Sequence, residues 1–282
     1  MYKTILVHVD ETARSVQRIE AASRLACQFE AHLVGAAMTG LSAFMFPGGG
    51  LDASIPAIVF PIEALRAEAN RALDKFDKAA SGAGVHSFER RMIDDDPGYA
   101  MSMQARYGDL VVIGQSAPDE FLPRLRSDFP EFVLLNSARP VLVLPHSSTQ
   151  CDIGRNVTVA WNGSAEALRA ITSAISLMKR AARVDLVVFD GNADADTDAN
   201  AHGDAPGSDM ALYLARHGIN VSVTAVNAGN DDGSALLSFA AERGSDLIVM
   251  GAYGHSRFRE FLLGGMTRTA LLSSPVALWM AH

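Results

Sequence analysis

Gly251, Gly254, Gly264, Gly265 and Thr267 fall within one short stretch whose natural guest is an anion. The apolar run Leu247, Ile248, Val249 and Met250 precedes it, so Gly251 and Gly254 stand where a buried strand should end. Glycines there permit a tight turn and let backbone come close to a ligand. Gly264 and Gly265 come just before a stretch that opens at Met266 and reads as a helix start. Backbone N–H groups at a helix start have no partners within the helix, so they suit a phosphate. The same glycines also fit a plain strand-to-helix turn followed by a flexible loop.

The elements that must position this stretch occur twice. Residues 4–10 and 156–162 each read as an apolar strand, followed by helical patterns over 13–29 and 165–182. Second strands follow at 32–37 and 184–189, and third strands at 85–91 and 220–226. Helices over 98–107 and 234–243 lead to Asp109-Leu-Val-Val-Ile-Gly114 and Asp246-Leu-Ile-Val-Met-Gly251, nearly one phrase repeated. A proline-led apolar strand closes each half, at 140–144 and 275–279. Near-continuous apolar strands alternating with helices predict parallel α/β sheets covered on both faces, two doubly wound (Rossmann-like) domains in tandem. The boundaries expected are 1–147 and 152–282, with a short polar linker over 146–152.

The spacing Gly-x2-Gly-x9-Gly at Gly251, Gly254 and Gly264 resembles the nucleotide-binding signature of the universal stress protein family. The resemblance covers almost the whole chain as two copies and implies a five-stranded parallel sheet of order 3-2-1-4-5 in each. It also implies that the two halves pair through their last strands, 141–144 against 276–279, which would mask an edge otherwise open to aggregation. The ligand implied is an adenine nucleotide, ATP or AMP, with or without Mg. The site implied in the second half comprises Ala160, Trp161 and Phe189 around the base and Asn162 at the ribose. Met250, Gly251, Gly254, His255, Gly264, Gly265, Met266 and Thr267 would lie along the phosphates. His255, Arg257 and Arg259 lie in the same loop, as either phosphate partners or solvated side chains. Two departures stand out. Gly265 replaces the family's Ser or Thr, removing a hydroxyl donor, and Asn162 replaces an Asp, keeping an acceptor but losing the charge. Asn162 reads equally as a helix cap, with Ser164 a competing cap, and Trp161 reads equally as core or interface.

The first half retains the aspartate, Asp10, but not the loop. Ala117 and Ser127 stand where the second and third glycines should be, and Asp119, Glu120 and Asp128 add negative charge. Carboxylates beside a triphosphate repel it unless a metal intervenes. The first half is therefore expected to bind no ATP and to act as a structural partner.

Composition narrows the function further. The 282 residues are 49% hydrophobic and 20% charged, with a net charge of -8. That balance is globular, and the acidic sign argues against bulk nucleic-acid binding. No apolar stretch reaches the ~20 residues of a membrane span and no signal peptide is evident, so a cytoplasmic protein is expected. Cys27 reads as core and Cys151 as part of the linker, with no disulfide. The apolar tip Phe44, Met45 and Phe46 offers a partner surface or folds back on the domain interface, and residues 191–207 read as a solvated loop. No placed base, nucleophile or metal cluster is visible, which leaves slow ATP hydrolysis at most. The function expected is a stress-response sensor or regulator that binds nucleotide in its second half. The alternative is a nucleotide-free scaffold for protein contacts. A homodimer of the whole chain fits either, and its protein partners are unspecified.

Overall fold

The computed structural model describes residues 1–40, 62–116, 128–147, 151–190, 207–227, 231–253 and 265–282. The first half runs β1 (Thr4–His8), α1 (Ser15–Phe29), β2 (His32–Met38), α2 (Ile62–Gly82), β3 (Phe88–Ile93), α3 (Pro97–Ala105), β4 (Leu110–Gly114), α4 (Phe129–Asn136) and β5 (Val141–Leu144). The second repeats it: β6 (Asn156–Trp161), α5 (Ala165–Met178), β7 (Arg183–Asp190), α6 (Ser208–Arg216), β8 (Val221–Asn227), α7 (Asp232–Glu242), β9 (Leu247–Gly251), α8 (Met266–Ser273) and β10 (Ala277–Ala281).

The ten strands of the described residues join one sheet of order β3-β2-β1-β4-β5-β10-β9-β6-β7-β8. Each half therefore has the expected 3-2-1-4-5 order. Pairing is parallel within the halves and antiparallel at the seam, where Val143 faces Leu278 and Leu142 faces Trp279. The seam strand of the second half begins and ends two residues later than the sequence suggests, because the register follows the buried run from Ala277 to Ala281.

Alternation along the strands sends side chains to two cores. Residues from α1, α2, α5 and α6 pack on one face, those from α3, α4, α7 and α8 on the other. Trp279 is wholly buried at the seam, its ring 5.4 Å from Tyr2 of the first half, and its indole N–H donates to Ser173 Oγ at 2.9 Å. Tyr2 donates its hydroxyl proton to the Ser173 carbonyl and stacks edge-on against Phe29 at 4.8 Å. Cys27 is exposed, contrary to its expected place in the core. Leu25, Ala26 and Phe29 carry the buried face of α1, and the helical rotation turns Cys27 outward toward the carbonyl of Ala83.

The repeated aspartate phrase has a structural cause. Asp109 accepts the backbone N–H groups of Lys3 and Thr4, which tie down the start of β1. Asp246 does the same for β6, accepting from Gly154, Arg155 and Asn156. Asp246→Ala leaves three partly buried donors without an acceptor, and the expected loss is about 2–3 kcal/mol. Asp246→Asn should lose less. Urea unfolding of both variants checks this, and equal stability of Asp246→Ala and the parent chain would refute the role.

Candidate functional site

The crevice lies where the strand order reverses. β6 and β9 pair at Val157–Leu247, Thr158–Ile248 and Val159–Val249, and their ladder stops there. Beyond it β6 stays with β7 while β9 stays with β10. The ends Ala160–Trp161 and Met250–Gly251 are thereby left on either side of a cleft at the carboxyl edge of the sheet, where ligands of open α/β sheets bind. β1 and β4 part in the same way after Val7 and Val112.

The expected residues of the second half divide into three groups. Ala160 and Met250 are buried in the core on the α7–α8 face. Trp161 is partly buried against the core on the α5–α6 face, and Phe189 and Met266 are partly buried on the α7–α8 face. Asn162 is exposed, and its Oδ1 accepts the N–H of Ser164 at 3.2 Å in a local turn. Ser164 is the helix cap, its hydroxyl accepting from Ala167 N–H at 3.1 Å. Gly254, His255 and Gly264 lie outside the described residues, as do Arg257, Arg259 and the Phe44–Met45–Phe46 tip.

Gly251 is constrained by the protein itself. A Cβ there would collide with the backbone nitrogen of Ala167, so glycine is what lets the start of α5 close onto β9. The sequence assigns it to ligand approach, and this helix contact is invisible without the fold. Thr267 also has an internal role. It is 2% exposed, and its hydroxyl oxygen accepts the N–H of Tyr253 at 3.2 Å. Tyr253 holds a left-handed backbone, φ 57°, rare for a residue with a side chain. The bond thus joins the end of the β9 turn to the start of α8, and it leaves the hydroxyl proton to offer elsewhere. At the head of α8, Gly265 is the N-cap and makes no side-chain capping bond. Its carbonyl already accepts from Arg268 and Thr269, while the N–H groups of Met266 and Thr267 begin the helix. α8 is seated on α7 through Gly233, where a Cβ would lie 2.7 Å from Thr269 Cβ.

The first half presents different chemistry at the matching place. Asp10 accepts from the N–H and hydroxyl of Thr12, and its other oxygen takes Arg18 Nη2 at 2.8 Å. Burial works against the Asp10 charge, but the Arg18 guanidinium, His8 and the two Thr12 hydrogen bonds together outweigh it and hold the carboxyl well below the usual carboxylate range. Arg18 Nε donates to the His8 carbonyl at 2.6 Å, and Nη1 lies where a Gly114 side chain would project. His8 is buried beside Phe129, ring centroids 4.9 Å apart, and burial pushes its pKa down to about 4. Asp10 partly offsets that shift and Arg18 adds to it. Ala117, Ser127, Asp119 and Glu120 lie outside the described residues. Among the described residues no group of three or more His, Cys, Asp or Glu could hold a metal ion, and no helix is long and apolar enough to cross a membrane.

Comparison with known proteins agrees with this architecture. Residues 154–282 match the model of the universal stress protein family. A search of the curated proteins finds no match. Among solved structures, a universal stress protein from Archaeoglobus fulgidus DSM 4304 superposes with a TM-score of 0.72 at 19% identity, over 99% of this chain and 95% of that one. A protein of unknown function from Pseudomonas aeruginosa PAO1 superposes with a TM-score of 0.59 at 13% identity, over 99% and 92% of the two chains. Residues 154–282 are thus similar to the universal stress protein family, and the first half repeats the same fold.

Proposed function

We propose that the second half binds an adenine nucleotide, ATP or AMP, and that the chain acts in the cytoplasm as a stress-response sensor or regulator. The observation that carries this reading is the cleft between β6 and β9 with the head of α8 at its edge. α8 begins at Gly265 with no side-chain cap, so the N–H groups of Met266 and Thr267 head the helix as anion donors. Asn162, exposed at the end of β6, offers its amide to a ribose hydroxyl. Binding would alter the surface offered to a protein partner.

Two internal bonds favour a second reading, a nucleotide-free scaffold. Asn162 Oδ1 is already used by Ser164, and the Thr267 hydroxyl oxygen by Tyr253. The two readings separate in one experiment. Heat-denatured, freshly purified protein is assayed by mass spectrometry for released nucleotide, and the emptied chain is titrated with ATP and AMP by calorimetry. The nucleotide reading expects one equivalent. It also expects Gly265→Asp to weaken binding at least tenfold, because a carboxylate then occupies the anion position. That substitution suits the backbone, since φ at Gly265 is -44° and Asp is a favoured N-cap, so stability should hold or rise by about 1 kcal/mol. No binding in either assay supports the scaffold. Gly251→Ala is a poor test, since it would strike the α5 backbone.

A further inference from the structure

Arg18 and Ala170 occupy the same place in the two halves. Ile5 and Val157 face Leu110 and Leu247 in matching registers. The buried faces of α1 and α5 coincide at Ile19 and Ile171, Ala22 and Ala174, Leu25 and Leu177. That alignment sets Asp10 against Asn162 and Arg18 against Ala170, and both Arg18 and Ala170 are buried, at 5% and 0% exposure. A guanidinium at 5% exposure is a costly occupant of a core position where alanine suffices. Its hydrogen bonds show what it does there. Nε takes the carbonyl at the end of β1, Nη2 takes Asp10, and Nη1 abuts Gly114 at the end of β4. The side chain therefore bridges the two strand ends that part at the first crevice. It also holds the carboxylate that would otherwise be free to accept a ligand hydroxyl.

We propose that the first half contains a nucleoside site closed from within, with Arg18 as its resident occupant. The ligand class rests on the reading of the second half as a nucleotide site. Arg18 takes the acceptor at Asp10 and spans the crevice, so the chain holds one open site although the fold supplies two. In the second half the aligned Ala170 reaches no strand end, and the aligned Asn162 carries no charge to be paired.

The test removes both partners together, because Arg18→Ala alone would strand a partly buried Asp10 beside His8. Asp10→Asn/Arg18→Ala recreates the pair of residues found in the second half. Asp10→Asn/Arg18→Gln is the second variant, retaining a polar filler should the first melt far below the parent. Adenosine is the probe, since it needs no phosphate loop, and its stoichiometry is measured by equilibrium dialysis on parent and variants. One equivalent on the parent and two on a folded variant is the expected result. One on each overturns the closed site and leaves the proposed function standing. None on the parent and one on the variant overturns the second-half site for nucleosides while upholding this inference. None on either overturns both for nucleosides.

Discussion

Trp279→Ala is expected to cost about 3–5 kcal/mol, the range for truncating a fully buried large aromatic side chain. Three losses combine at that position. The indole is wholly buried at the seam between the halves, so its removal opens a cavity that flanking strands cannot fill. Its N–H no longer reaches Ser173 Oγ, and Tyr2 loses the ring packed against it. Because Tyr2 comes from the first half and Ser173 from α5, the damage falls on a contact between the two halves. Guanidinium unfolding followed by tryptophan fluorescence of the remaining Trp161 and by circular dichroism should show a lower midpoint and a separation of the two transitions. A loss under 1 kcal/mol with coincident transitions would sink this account of the seam.

The second large effect is set by pH. His8 is neutral in the fold because burial holds its pKa down to about 4, whereas in the unfolded chain it titrates near the ordinary 6.5. Below pH 6.5 the unfolded chain therefore takes up a proton that the folded chain refuses. Stability conferred above pH 6.5 is lost progressively as the pH falls to about 4, and the total is about 3 kcal/mol. Asp10 acts in a lower window. Its carboxyl is held below the usual range, so its contribution is lost only beneath about pH 4, where the unfolded carboxyl protonates. Urea midpoints measured between pH 7.5 and 4 should slope down in the parent and lose most of that slope in His8→Gln. An unchanged slope in His8→Gln would assign the effect to other groups.

Much of the fold was legible because hydrophobic periodicity and a repeat reinforce each other. Strand runs such as Leu247 to Met250 are apolar on both faces, which is the signature of a doubly covered parallel sheet. The seam was implied by the family resemblance, and edge protection only agreed with it. Other features depended on packing that no single segment encodes. Gly251 looks like a ligand-approach glycine, yet its first constraint is the Ala167 backbone, contributed by a helix more than eighty residues earlier. Asn162 and Ser164 compete for one cap, and only the geometry gives it to Ser164. Cys27 was misplaced by reading an apolar helix without fixing its phase. Arg18 did leave a signal, since an arginine interrupts the buried stripe of α1 at the place where the second copy has Ala170. Setting the two copies side by side would have found it.

The antiparallel seam between β5 and β10 has one more consequence. Two separate domains that met through these strands would have to give up translational and rotational freedom to do so, and dilution would drive them apart. Here the partner is tethered by a few residues, so its effective concentration is fixed by the linker and does not depend on how much protein is present. A seam of only three facing residue pairs can then persist at concentrations where a free dimer of the same strength would have dissociated. It also frees each half from serving as its own mirror image. One crevice can carry Asp10 with Arg18 and the other Asn162 with Ala170, an asymmetry that a homodimer of identical subunits could not encode.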